Sequence, residues 1–183
     1  MENQIFKKGL VLLESERLSQ PNENIKFIKW VIEGKLAGSS FPITHELLSL
    51  LKINVKLVIN LTRRDIPNKL KERLRKYGVE FKRLPIRDFG TPDKITIKHY
   101  LQSVCETINK GGAVLIHCIA GCGRTGTMIG LFLVSHGYSP DKAINLIHNS
   151  LGTNCPETNS QIELLYKQKE KCPNLSVCNG LII

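Results

Sequence analysis

The segment Ala113-Val114-Leu115-Ile116-His117-Cys118-Ile119-Ala120-Gly121-Cys122-Gly123-Arg124-Thr125-Gly126-Thr127-Met128 begins as a short apolar run, passes through glycines and continues as a helical pattern. The apolar run over 113–117 is too short for a helix and follows Gly111-Gly112, so it reads as a strand buried on both faces. Glycines in the turn let backbone N–H groups point inward, and the start of the next helix adds the positive end of its dipole; together these make an anion cradle. Arg124 lies six positions after Cys118, where a guanidinium can bind two oxygens of a phosphoryl group. A cysteine in the same positive field is held as thiolate, a nucleophile already aimed at the bound phosphorus.

Other readings of this segment fare worse. Gly121, Gly123 and Gly126 satisfy the G-x-G-x-x-G dinucleotide pattern, but that fold needs a further strand ending in an acidic residue after the helix. The chain downstream is helical in pattern, and its best-spaced acid, Asp141, sits in a Ser-Pro-Asp helix start. A Walker-type loop would need a lysine where Arg124 stands. A purely structural cysteine would have little reason to share a glycine-rich turn with an arginine.

Outward from this segment, strand and helix patterns alternate. Strands are expected over 27–32, 35–37, 55–61 and 79–86, and helices over 43–52, 68–77 and from Thr91-Pro92-Asp93 to the glycines at 111–112, with Pro92 at the first helical position. After Gly126 the pattern is helical throughout, over 127–136, 140–149 and 159–171. The alternation predicts an α/β fold, a mostly parallel central sheet flanked by helices on both faces in a single domain. Residues 9–18 also have a helix-like pattern, but a polar run separates them from the rest. We therefore divide the chain into an N-terminal extension 1–24, a catalytic domain 25–172 and a C-terminal tail 173–183.

Composition bounds the function. The chain of 183 residues is 42% hydrophobic, enough for one sizeable core, and carries 26 Lys+Arg against 16 Asp+Glu, a net +10. An anionic partner follows from that charge. Ten basic and three acidic residues fall within 63–87, so most of the excess precedes the glycine-rich turn. Aromatics make up only 6%, few for base stacking, and a basic helix is more often a solvated face than a nucleic-acid site; nucleic acid is not the expected partner. No apolar stretch approaches the roughly twenty residues of a membrane span, and neither a signal peptide nor a lipidation signal is evident, so the expected setting is cytoplasmic or nuclear, with no membrane partner. Six cysteines are too few for a disulfide scaffold. Cys105, Cys155, Cys172 and Cys178 lack metal-ligand spacing and read as packing or tail residues; no metal and no cofactor is called for.

Cys-x5-Arg-Thr-Gly after a histidine resembles the signature of the cysteine-dependent protein tyrosine phosphatases, and the resemblance over roughly 25–171 is nearest to the small atypical dual-specificity phosphatases. It extends to Trp30-Val31-Ile32-Glu33-Gly34-Lys35-Leu36-Ala37-Gly38, Ile59-Asn60-Leu61-Thr62 and Gly126-Thr127-Met128. The resemblance implies that Cys118 attacks phosphorus to form a cysteinyl-phosphate. Arg124 and the amides of Ile119, Ala120, Gly121, Cys122 and Gly123 would hold the equatorial oxygens, and Thr125 would hydrogen-bond the sulfur. The family's acid is an aspartate on an upstream loop, a position matched by Asp88. Asp93 is the rival, but it has a structural reason to sit at a helix start. Glu157 and Gln161 resemble the segment that positions the attacking water, although polar residues there also serve as helix caps. His117 would orient the turn and help tune Cys118, or be structural. Cys122 could form a reversible disulfide with Cys118, or point into the core.

For substrates, the resemblance implies phosphorylated proteins, with a cleft shallow enough for phosphotyrosine, phosphoserine and phosphothreonine, handled by a monomer. Phosphoinositide enzymes of this fold often carry lysines inside the loop, and Ile119, Ala120 and Cys122 add no charge. RNA triphosphatases resemble His-Cys-Thr-His-Gly-x-Asn-Arg-Thr-Gly, from which this loop departs. The alternatives kept are an RNA 5′-end or other non-protein phosphatase of the same fold, and a non-catalytic phosphate-binding module; the presence of Asp88 argues against the latter, since a binder needs no acid.

Overall fold

The structure, a computed structural model, describes residues 27–168. Five strands, β1 (Lys29–Ile32), β2 (Leu36–Ser39), β3 (Val55–Asn60), β4 (Glu80–Arg83) and β5 (Ala113–His117), form one sheet in the order β1-β2-β5-β3-β4. The β1–β2 pair is antiparallel, as its short turn at Glu33-Gly34 requires; β2–β5, β5–β3 and β3–β4 are parallel. β5 is therefore central, and all five of its residues are buried. This is the mostly parallel α/β sheet expected from the alternating patterns.

Six α-helices cover the sheet among the described residues: α1 (Thr44–Ser49), α2 (Asn68–Arg75), α3 (Lys94–Asn109), α4 (Gly123–Ser135), α5 (Pro140–Leu151) and α6 (Asn159–Lys167). The period of two in a strand sends alternate side chains to opposite layers. Val114 and Ile116 of β5 join Leu101, Val104, Met128, Phe132, Ile147 and Leu165 from α3 to α6. Ala113 and Leu115 join Leu47, Leu50 and Leu74 on the other face, where α1 and α2 lie. Each fully buried aliphatic side chain in these layers contributes on the order of 1.5–3 kcal/mol through removal from water. None of the described helices is long and apolar enough to cross a membrane.

Several boundaries differ from the sequence reading, each for a local reason. The helix expected over 43–52 is α1 followed by a 3-10 turn at Leu50–Lys52. Past Arg83 the chain stays extended without a continuous ladder, held by Leu84 N–H to Asn60 O and Ile86 N–H to Leu61 O. Pro92 is not the first residue of α3: Asp93 is the cap, and its carboxylate accepts from the Thr96 N–H at 2.7 Å. α4 starts at Gly123 rather than at 127, because the glycine-rich turn itself becomes the first helical turn. The extension 1–24, its helix-like pattern, the tail 173–183 and the end of the helix expected over 159–171 lie outside the described residues.

Candidate active site

Parallel strands bring their C-terminal ends to one edge of the sheet, which is where open α/β sheets build their sites. Here β3 leads into Thr62, Arg63 and Arg64, β4 into Ile86, Arg87 and Asp88, and β5 into the Cys118–Arg124 turn; residues from all three loops line one open cleft of about 380 Å³. The sheet thus assembles residues from Thr62 to Arg124, far apart in the chain.

The turn after β5 is tied down at each step. Leu61 N–H donates to His117 O at 2.9 Å, and Phe41 N–H to Ile119 O at 3.0 Å. Gly121 has φ +78, and a Cβ there would lie 2.6 Å from the backbone of Ser39 and Ser40, so only glycine permits both the left-handed turn and the close approach to the end of β2. This geometry points the Gly121 N–H at the Cys118 sulfur, 3.1 Å away. Cys118 itself is 2% exposed. The N–H groups of Ile119, Ala120 and Cys122 make no hydrogen bond among the described residues, and they are the loop donors available to an oxyanion. The Gly123 N–H, expected to serve the phosphate, instead donates to Glu157 Oε2 at 2.9 Å, which places a carboxylate at the positive end of α4.

Arg124 is 7% exposed and bridges two of the three loops: Nη1 donates to Ile86 O at 3.3 Å, and Nη2 pairs with Asp88 Oδ1 at 2.8 Å. Asp88 is thus brought to the arginine of the cradle, while Asp93 caps α3. The segment after Asp88 is braced by the start of α6. Thr158 Oγ1 donates to Phe89 O at 3.4 Å and Gln161 Nε2 to Gly90 O at 3.0 Å, while Gln161 Oε1 accepts from the Glu157 and Thr158 N–H groups. The helix-cap role weighed for Gln161 is therefore made in full, and the same side chain also holds the loop that carries Asp88.

Three expectations change on this geometry. The Thr125 hydroxyl is buried with no hydrogen-bond partner, so the bond to the sulfur comes from the Gly121 N–H rather than from Thr125; the Thr125 methyl faces Gly38, where an added Cβ would lie 2.9 Å from it. Cys122 does not pair with Cys118. It forms a disulfide with Cys155, S–S 2.01 Å, because the turn before α4 and the loop before α6 approach to a Cα–Cα distance of 4.9 Å across 33 residues of chain. Cys118 is the free cysteine among the described residues and Cys105 is also disulfide-bonded, so Cys155 and Cys105 are not mere packing residues. Nothing in their spacing signals these bonds, which depend on tertiary contact.

His117 tunes nothing by charge. Its ring is buried edge-on to Phe41 at 5.1 Å, and burial pushes its pKa down to about 4, offset in part by the Nδ1 contact to Cys118 O at 3.3 Å. The neutral ring orients the turn through that contact. Because the unfolded chain binds a proton near pH 6.5 and the folded one near 4, stability from this residue is complete above about 6.5 and is lost as pH falls toward 4. The loss amounts to about 3 kcal/mol, with a contribution of the same sign from half-buried His136. Thermal unfolding measured across this range should show a shallower acid slope in His117→Gln; an unchanged slope would assign the acid sensitivity elsewhere.

Comparison with known proteins agrees with this arrangement. The family model described as "Swiss Army Knife protein, DSP-PTPase phosphatase domain" matches residues 25–172. The mouse dual specificity protein phosphatase CDC14B is 36% identical over 83 residues, 45% of this chain and 16% of that protein. The chain spans about a quarter or less of the length of the CDC14-type phosphatases it matches. Among solved structures, Tk-PTP in its active form superposes with a TM-score of 0.69 at 28% identity, covering 78% of this chain and 96% of that one. PTPMT1 in complex with PI(5)P gives a TM-score of 0.69 at 22% identity, covering 84% of this chain and 99% of that one, a likeness of fold alone. Family match, sheet topology and the Cys118–Arg124 cradle coincide on the same residues, and the chain belongs to the cysteine-dependent protein tyrosine phosphatase superfamily, among its small atypical dual-specificity phosphatases.

Proposed function

We propose that this chain is a protein phosphatase that hydrolyses phosphotyrosine and phosphoserine or phosphothreonine through a cysteinyl-phosphate on Cys118. The observation that carries the reading is the meeting of a buried cysteine, a buried arginine and an upstream aspartate at one edge of the sheet. An incoming phosphoryl group competes with Asp88 for the Arg124 guanidinium, which can hold two of its oxygens, and the N–H groups of Ile119, Ala120 and Cys122 take the remaining charge. The carboxylate released from Arg124 takes up one proton, from solvent or from a singly protonated phosphoryl group, and then meets the leaving oxygen as the carboxylic acid.

In the first step the Cys118 thiolate forms the S–P bond, the P–O bond to the leaving group breaks, and Asp88 gives that oxygen its proton. In the second step the Asp88 carboxylate takes a proton from water, the water oxygen bonds to phosphorus and the S–P bond breaks. The thiolate so regenerated is stabilised by the Gly121 N–H. Glu157, through Gly123, and Gln161, through Gly90, position the two loops in this scheme rather than touching the water. His117 and Thr125 support the turn from within the core.

The open cleft supports acceptance of short as well as long phosphorylated side chains: Asp88 is 64% exposed and Ile119 49%. Absence of lysine between Cys118 and Arg124 favours phosphoproteins over lipid headgroups. The chain is expected to act as a monomer, in cytoplasm or nucleus, without metal or cofactor. Initial rates on phosphotyrosine, phosphoserine and phosphothreonine peptides, a phosphoinositide and triphosphate-ended RNA test the assignment. All three peptides should be turned over at least about ten-fold faster than the lipid or the RNA, a difference of about 1.4 kcal/mol in transition-state binding; preference for either non-protein substrate would overturn the reading.

A further inference from the structure

The cleft holds more positive charge than a single phosphoryl group needs. Besides Arg124, whose guanidinium is matched by Asp88, it is lined by Arg63, Arg64 and Arg87. Acid adjacent in sequence does not neutralise them: Asp65 turns away to Lys71 at 2.8 Å and Arg83 at 3.9 Å. Among the described residues the guanidinium groups of Arg63 and Arg87 form no ion pair or hydrogen bond. Arg64 lies over the Phe41 ring, 4.8 Å from its centre, a contact that fixes its direction without cancelling its charge.

The loop that presents Arg63 and Arg64 is built from within. Asn60 and Thr62 are 3% and 2% exposed. Asn60 Nδ2 and Thr62 Oγ1 donate to the Arg64 carbonyl at 2.8 and 2.7 Å, and Asn60 Oδ1 accepts from the Thr62 N–H at 2.8 Å. Two buried polar side chains are thus spent on holding one exposed turn in shape. Like charges gathered in one cleft repel, and a turn braced to keep them there favours a ligand that brings a second anion.

Two large apolar side chains stand exposed at or beside the cleft. Ile119 lines the cleft and is 49% exposed, and Phe89, next to Asp88, is 59% exposed with φ +57, a left-handed conformation that a bulky residue seldom adopts. A polypeptide offers such side chains more apolar surface on either side of the phosphorylated residue than a sugar phosphate does.

We propose that Arg63, Arg64 and Arg87 form a second anion subsite that selects phosphopeptides with acidic side chains flanking the residue to be dephosphorylated. The proposal rests on the protein-phosphatase reading and adds its substrate class. Exposed charge pairs are individually weak, about five-fold at most, so three together set a preference of roughly ten-fold or more that fades with salt.

The test compares kcat/KM for three versions of one phosphopeptide, with glutamate, alanine or lysine at the flanking positions, in wild type and in the triple variant Arg63→Gln, Arg64→Gln, Arg87→Gln. Wild type should rank them glutamate, alanine, lysine, with the difference mainly in KM, and the triple variant should bring the glutamate-to-alanine ratio to about one. The wild-type ranking needs no variant to fold. Equal turnover of the glutamate and alanine peptides by wild type would overturn the subsite and leave the protein-phosphatase reading standing. Turnover of an aryl phosphate with no turnover of any peptide would overturn both. A soluble inositol polyphosphate hydrolysed faster than the glutamate peptide, with the same dependence on the arginines, would overturn the choice of a peptide.

Discussion

Cys118→Ser should lower the rate of aryl phosphate hydrolysis by about 10⁴-fold or more, because the loss removes the proposed nucleophile and the other groups cannot replace it. A serine hydroxyl fits the same space but is not ionised at neutral pH, so the Gly121 N–H is left with a poor partner and the phosphorus with no attacking atom. The cradle itself does not depend on sulfur. Arg124 keeps its hold on Ile86 O, and the turn remains anchored through Phe41 and Leu61. Calorimetric titration with inorganic phosphate should therefore give a dissociation constant within a few-fold of wild type. Activity within ten-fold of wild type would remove Cys118 from the chemistry.

The second large effect is expected for Asp88→Asn. The amide has the shape of the carboxyl but can neither give the leaving oxygen a proton nor accept one from water, which costs roughly 10²–10⁴-fold in kcat. The loss should be greatest for phosphoserine, whose alkoxide leaving group needs the proton most, and least for a nitrophenyl ester. Asp88 also competes for Arg124 at 2.8 Å, so the variant should bind phosphate more tightly than wild type, by a few-fold given the exposure of the pair. A lower kcat together with tighter anion binding would mark a residue that touches both arginine and substrate. Asp93→Asn supplies the contrast, since that side chain caps α3 through the Thr96 N–H, a bond an amide oxygen also accepts, and the variant should keep the fold and change kcat less than about two-fold. The opposite outcome, with kcat lost in Asp93→Asn and kept in Asp88→Asn, would reassign the acid.

Much of this site was legible in the sequence because its central element is local. A buried strand, a glycine-rich turn and a helix start follow one another from Ala113 to Met128, and the physical need for inward N–H groups is met within that span. The parallel sheet was equally legible, since a near-continuous apolar strand such as β3 or β5 implies neighbours on both sides and cover on both faces. Asp88 could be found by its place after a strand.

The features that escaped are those in which distant segments meet. Cys122 and Cys155 come together only when the loop before α6 folds against the turn before α4. The Gly121 amide reaches the sulfur because β2 crowds the turn and forces its left-handed bend, which no pattern in the turn alone would distinguish from a bond by Thr125. Gln161 reads as a helix cap, and only the folded chain shows its other end on Gly90. Arg63, Arg64 and Arg87 were counted in a general basic excess over 63–87; their convergence on one cleft follows from the parallel arrangement of β3 and β4, which carries both loops to the same edge.

Rapid mixing of Asp88→Asn with an aryl phosphate, followed by a denaturing quench and mass analysis, measures the central step directly. A good leaving group lets the first transfer proceed without the acid, while the missing base slows the second, so the intermediate should accumulate. The enzyme should carry one phosphoryl group, located on Cys118 by fragmentation, and the same treatment of Cys118→Ser should leave the chain unmodified. A phosphoryl group found on any other residue, or release of phosphate at the steady rate with no labelled enzyme at any time, would contradict the covalent mechanism.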